Sequence, residues 1–179
     1  MQFAQSEQLN LPCTFTRIVP GELHPDGRRY LPLIVLALPP TILGTITQIG
    51  VVDRHHVVDL QAEGQSGSAK LVFLLSTIRL LGEQRSGLFD RSVPPGRPST
   101  RPTAYGQVIA VPTWEADREH LPYETLYTEL LIDIGGGIIG VRTSTTAANL
   151  AEQIGHSRIE PGDWIEIERS RVDILGFSI

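Results

Sequence analysis

Trp164-Ile-Glu-Ile-Glu-Arg-Ser-Arg-Val-Asp-Ile-Leu-Gly176 has a counterpart 94 positions earlier, in Lys70-Leu-Val-Phe-Leu-Leu-Ser-Thr-Ile-Arg-Leu-Leu-Gly82. In both, an apolar run reaches a serine (Ser76, Ser170), then a β-branched residue (Ile78, Val172), an aliphatic pair and a glycine. Apolar and β-branched residues in short runs of this kind read as strands. Two copies of one strand phrase predict an all-β chain built from a duplicated unit.

The match extends upstream in the same order. Cys13-Thr-Phe-Thr-Arg-Ile-Val19 ends at Pro20, and Tyr105-Gly-Gln-Val-Ile-Ala-Val111 ends at Pro112. Each is followed by a polar loop, residues 22–27 with the turn dipeptide Asp26-Gly27, and residues 115–120. An apolar strand comes next, residues 30–38 or 126–134, and runs into Pro39-Pro40 or Gly135-Gly136-Gly137. Ile42-Leu-Gly44-Thr-Ile-Thr47 then parallels Ile138-Ile-Gly140-Val-Arg-Thr143.

The units differ before their last strand. Residues 57–63 alternate and lead through the Gly/Ser-rich stretch 64–68 to Lys70, which predicts a β-hairpin. The corresponding interval, residues 146–154, places Leu150 and Ile154 four apart, with Thr145 or Ser144 to cap the start and Gly155 to end it, a short helix. Between the units, Val93-Pro-Pro-Gly-Arg-Pro-Ser-Thr-Arg-Pro102 lacks apolar periodicity and reads as a linker free of regular elements. The predicted organisation is a loose segment over 1–11, a first small β-barrel over 12–82, a Pro/Arg-rich linker over 83–104, and a second, acidic barrel over 105–179 with one short helix.

At 179 residues, 41% apolar and with a net charge of −5, the composition is that of a globular chain. No run of ~18 uncharged apolar residues marks a membrane span, residues 1–11 have no secretory pattern, and the single Cys13 cannot form an internal disulfide. A cytoplasmic location without membrane insertion is the expectation. Charge is unevenly divided: residues 106–179 hold five arginines against twelve Asp and Glu, whereas residues 83–105 hold four arginines against two acids. Fourteen arginines to one lysine suits bidentate contact with phosphate or carboxylate, although genome composition produces the same ratio.

Two five-stranded units, one with a helix before its last strand, point to barrels of the oligonucleotide/oligosaccharide-binding (OB) type. Residues 12–82 resemble the single-stranded-DNA-binding and primosomal-protein branch of that fold. The resemblance lies in the first strand, the loop Pro25-Asp-Gly-Arg-Arg29, the apolar second strand and the terminal phrase Leu71–Gly82. It implies a strand-binding groove beside that loop. The flexible acidic tail with an apolar tip that ends bacterial members of that branch has no match, since the sequence finishes in Leu175-Gly-Phe-Ser-Ile179.

Asp133-Ile-Gly-Gly-Gly137 resembles the phosphate loop of actin-like and sugar-kinase ATPases. That fold requires a second phosphate loop, an adenosine motif and about twice the chain, and its Thr-Thr-Asp is replaced here by Ile138-Ile139-Gly140. A tight bend between buried strands explains the glycines better. His55 and His56, adjacent in sequence, would point to opposite sides of a strand and cannot both ligate one ion from one side. No nucleophile, base or paired-carboxylate spacing points to catalysis, so a non-enzymatic protein without cofactor or metal is expected.

Nucleic-acid binding needs basic side chains interleaved with aromatic faces. The first unit offers Phe15, Arg17, Arg28, Arg29, Tyr30 and Arg54 for a single strand of DNA or RNA. The acidic unit, with Trp114, Tyr123 and Tyr127, suits a protein partner or a second copy of the chain. The alternative is a protein–protein scaffold, or a subunit of a larger assembly, that binds no nucleic acid.

Overall fold

The computed structural model describes residues 2–114, 127–143 and 145–179, with the side chain of Ala147 excepted. Its strands are β1 (Leu11–Val19), β2 (Leu33–Ala37), β3 (Gln48–Val52), β4 (Ser66–Leu74), β5 (Thr77–Leu80), β6 (Gly87–Phe89), β7 (Thr103–Thr113), β8 (Thr128–Asp133), β9 (Ile138–Thr143), β10 (Trp164–Glu168) and β11 (Arg171–Ser178). Helix α1 (Ala147–Ile154) lies between β9 and β10. All strands belong to one sheet.

Five of them close on themselves. The order β1–β2–β3–β11–β4 returns to β1 through the antiparallel pairing of Leu11–Thr14 with Ala69–Ser66. Within this barrel β3 and β11 run parallel, meeting at Val52 and Asp173. Leu11, Cys13 and Phe15 alternate into its interior with Ile34, Leu36, Ile49 and Val51, where burial of the apolar side chains supplies the driving force. Strict alternation would also send Arg17 inward. A bulge between Phe15 and Arg17 shifts the register instead, so that Arg17 lies opposite Val35 and faces out. The remaining strands continue as β4–β9–β8–β7–β10–β5, and because β4 and β5 are joined by only Leu75 and Ser76, this path returns to the segment it left.

The closed barrel, the all-β content and the single short helix are as the sequence predicts. The composition of the barrel is not. Its fifth strand is β11, from the far end of the chain, while β5 pairs with β10. The two exchanged pairings share one register: Thr77, Ile78, Arg79 and Leu80 face Glu168, Ile167, Glu166 and Ile165, and Arg171, Val172, Asp173 and Ile174 face Leu74, Phe73, Val72 and Leu71. Shifting any pair of one set by 94 positions yields a pair of the other. Leu75 and Arg169, related by the same shift, both adopt the left-handed region, with φ of 59° and 58°. That conformation costs a non-glycine residue about 1 kcal/mol, and here it bends each strand from one neighbour to the next.

Other local expectations are corrected. Residues 57–63 form no strand. The buried Asp53 carboxylate accepts the N–H groups of Val57 (2.9 Å) and Val58 (3.0 Å), and Leu60–Ala62 make a 3-10 turn capped by Asp59. Side-chain acceptors that satisfy the backbone locally remove the need for a ladder. The phrase at 42–47 precedes β3 as a bend, whereas 138–143 is β9, so these two are not equivalent elements. The linker contains β6, paired to β7, and its Ser99 is hydrogen bonded to β3. Residues 2–10 are not loose: Phe3 and Leu9 are buried on the outer face of β4, β8 and β9, and Asn10 bridges to Ile138. Helix α1 is capped by Thr146, which accepts the Asn149 N–H at 3.3 Å, and ends at Gly155. Of the expected caps, Thr145 lies outside the helix, and Ser144 lies outside the described residues.

Candidate nucleic-acid interface

Residues paired across an antiparallel ladder share a face. On the outside of β1–β2–β3 they form two lateral rows, Arg17–Val35–Gly50 and Val19–Leu33–Val52. Arg17 is exposed and reaches the Gln48 amide oxygen at 3.5 Å. Beyond Gly50 the linker lies alongside β3: the Ser99 N–H donates to Gln48 and the Gly50 N–H donates to Ser99, at 3.0 and 2.8 Å. Val35 and Gly50 are buried within this face, Leu33 and Val52 are partly exposed, and Arg17 stands at its margin.

The β1–β2 loop rises at the end of this face. The Asp26 carboxylate accepts the Arg28 N–H at 2.9 Å and pairs with its guanidinium at 2.9 Å. The Arg28 backbone N–H first of all, and then the His24 and Arg28 side chains, hold the Asp26 carboxyl below its ordinary pKa. Arg29 donates to the Gly21 carbonyl at 3.3 Å and has no carboxylate partner within 4.0 Å among the described residues. Tyr30, 58% exposed, stands edge-on to the His24 ring at 5.3 Å, and these side chains enclose a shallow cleft of about 340 Å³. The structure thus brings Arg28, Arg29 and Tyr30 together at one end of the face that carries Arg17. Arg54, just past β3, lies 3.5 Å from Asp173, a buried carboxylate that also receives Arg171. Phe15 belongs elsewhere: it is fully buried, packed edge-on against Phe177 at 6.1 Å, and offers no face to a base.

Two of the three residues assigned to a protein partner lie among the described residues, at the adjoining ends of β7 and β8. Trp114 is buried, with the Arg158 guanidinium 5.2 Å from its ring. Tyr127 lies beneath Arg142 at 4.2 Å and lines a cleft of about 610 Å³ with Phe3, Lys70 and Glu129. Tyr123 lies outside the described residues.

Sequence reading missed a third group. Arg101, Arg169 and Arg171 converge on a cleft of about 300 Å³ floored by Leu33, Val52 and Val172. The signal was present in the opening motif, where Arg169 and Arg171 stand in place of Leu75 and Thr77 of the other copy.

Glu166 and Glu168 project side by side from β10. Burial pushes the Glu166 carboxyl upward, but hydrogen bonds from Tyr105, Arg79 and Glu168 outweigh it and hold its pKa below the ordinary value. The hydrogen bond with Glu166, burial and the Glu166 charge raise the Glu168 pKa. Arg79 lies 2.9 Å from Glu166.

The glycine string is a hairpin between β8 and β9: the Ile134 N–H donates to Gly137 at 3.0 Å and the Gly135 N–H donates to the Asp133 carboxylate at 2.8 Å. Among the described residues no three His, Cys, Asp or Glu side chains converge as metal ligands, and no helix is long and apolar enough to cross a membrane. No family model matches the chain, and neither a curated protein nor a solved structure matches it. The fold itself defines the class: an all-β protein with a closed five-stranded barrel, compatible with an OB-like fold.

Proposed function

We propose that this protein is a non-enzymatic OB-like accessory protein that binds single-stranded nucleic acid on its closed barrel, and a protein partner through its acidic C-terminal half. One observation carries the reading: the β1–β2 loop holds an exposed tyrosine beside two arginines, at the end of an outer barrel face that also bears Arg17. The ring supplies a stacking surface and the guanidiniums supply charge for the backbone. The shared register of the exchanged strands is read as the trace of a duplicated barrel unit.

The test is a titration with labelled single-stranded DNA and RNA. With three arginines on phosphates, affinity should fall roughly tenfold or more between ~50 and ~200 mM salt. Arg28→Glu with Arg29→Glu should remove most of the binding, and Arg158→Glu, in the acidic half, should remove little. The partly exposed aliphatic side chains of Leu33 and Val52 on this face favour a second reading as a protein-binding scaffold. A wild-type protein that binds neither strand at low salt would leave that second reading standing.

A further inference from the structure

We propose that the cleft between the two strand bends is a phosphate-binding subsite in which Arg101, Arg169 and Arg171 grip one backbone phosphate of a bound single strand. For its natural ligand, a phosphodiester, this rests on the nucleic-acid reading above. The affinity of the subsite for a phosphate group does not.

Three segments distant in sequence build the cleft. Residues 100 and 101 come from the linker, Arg169 to Val172 from the β10–β11 bend, and Leu33, Gly50, Val52 and Leu75 from the barrel and the β4–β5 bend. Ser170 is buried and hydrogen bonded to Ser76, so its neighbours Arg169 and Arg171 are both turned outward on a bend that is fixed from within. The bend therefore presents both guanidiniums from a backbone that is already fixed.

Charge makes the cleft an anion site. Arg101 and Arg169 form no ion pair within 4.0 Å among the described residues. Arg171 shares the Asp173 carboxylate with Arg54. Three guanidiniums therefore line the cleft, and no Asp or Glu lines it among the described residues. Glu168, next to Arg169 in sequence, shares a hydrogen bond with Glu166 and also feels the Arg169 charge, but it does not line the cleft. Arg169 and Arg171 come from residues 106–179, where acids outnumber arginines twelve to five, and Arg101 joins them from the basic linker. Like charges gathered at one place repel, and an anion between them relieves the repulsion.

Guanidinium forks match phosphate oxygens in pairs. A volume of about 300 Å³ is small for a ligand site, suited to one nucleotide unit rather than a run of them. Leu33 and Val52, both partly exposed, give an apolar surface for the sugar. Leu33, Gly50 and Val52 also belong to the outer face that carries Arg17, so a strand crossing that face leads into the cleft.

The experiment compares the wild type with the double variant Arg101→Gln/Arg169→Gln, and with Arg91→Gln as a linker control, in oligonucleotide titrations over a range of salt. Amide spectra verify the fold of each. Inorganic pyrophosphate is titrated separately into the wild type while the amide signals of residues 101 and 169–171 are followed. The double variant should bind the oligonucleotide tenfold or more weakly, with a log–log salt slope lower by about 2, and pyrophosphate should shift those signals. If the wild type binds oligonucleotide and the double variant matches it in affinity and slope, the subsite is overturned while the barrel reading survives. If the wild type ignores oligonucleotide but pyrophosphate moves the cleft signals, the subsite stands and the nucleic-acid reading falls. If neither ligand acts, the subsite is overturned.

Discussion

Ser76 and Ser170, 94 positions apart, meet Oγ to Oγ at 2.7 Å with both side chains buried. Each follows the left-handed residue that bends its strand, so the contact joins the two bends where the exchanged strands pass one another.

Replacing one serine by alanine leaves the other hydroxyl buried without this partner, which costs about 1–2 kcal/mol. The Ser76→Ala/Ser170→Ala double variant should lose less than the sum of the single losses, because the second replacement removes a group already orphaned. Urea denaturation of all four proteins gives the coupling. Strict additivity would mean that the hydroxyls do not depend on each other.

The Glu166–Glu168 pair sets a pH dependence of opposite signs. The lowered pKa of Glu166 adds stability that is present above the unfolded carboxylate value and is lost as pH falls through the folded value. The raised pKa of Glu168 adds stability that is present below the unfolded value, near 4.5, and is lost as pH rises through the folded one. Glu168→Gln removes the second contribution, while its amide can still donate the hydrogen bond that helps to hold Glu166 low. Its stability relative to wild type should therefore climb as pH rises from 4.5, measured by denaturant midpoints at successive pH values. A difference that stays flat with pH would contradict the shared hydrogen bond.

Cys13 points into the barrel, and burial, opposed weakly by a backbone hydrogen bond with Ala69, pushes its thiol up to about 11. The thiolate, which is the reactive form, is then about a hundredfold scarcer than at the ordinary value. Alkylation at neutral pH should be slow in buffer and fast in denaturant, and its rate should follow global unfolding. Rapid labelling of the native protein would show that the barrel opens locally at β1.

Gly44 couples the segment before β3 to the linker. Its φ is 135°, and a Cβ there would lie 1.7 Å from the Leu88 carbonyl oxygen. Gly44→Ala must therefore displace β6 and should cost several kcal/mol, whereas Gly82→Ala, with open space around it, should cost under ~1 kcal/mol. Thermal unfolding of the two variants tests this, and equal midpoints would mean that β6 is not held by this approach.

Much was legible in the sequence. Apolar and β-branched runs placed β1, β2, β4 and β7 through β9, and the last such run, read as one strand, holds both β10 and β11; Leu150 and Ile154 with Gly155 placed the helix, and the repeated Ser-x-(Ile/Val) phrase singled out the segments that meet at Ser76 and Ser170. These are local properties, set by backbone conformation and by which side of a strand is apolar. Partner choice is not local. The pattern that buries Ile174 and Val172 serves equally well against β4 or against β10, so nothing in residues 164–178 says that β11 completes the barrel begun by β1. The left-handed bends at Leu75 and Arg169 decide that, by carrying each strand from one circuit into the other. The bulge that turns Arg17 outward, the carboxylate of Asp53 that replaces an expected strand, and the convergence of Arg101 with Arg169 and Arg171 likewise arise only when segments far apart in sequence pack together.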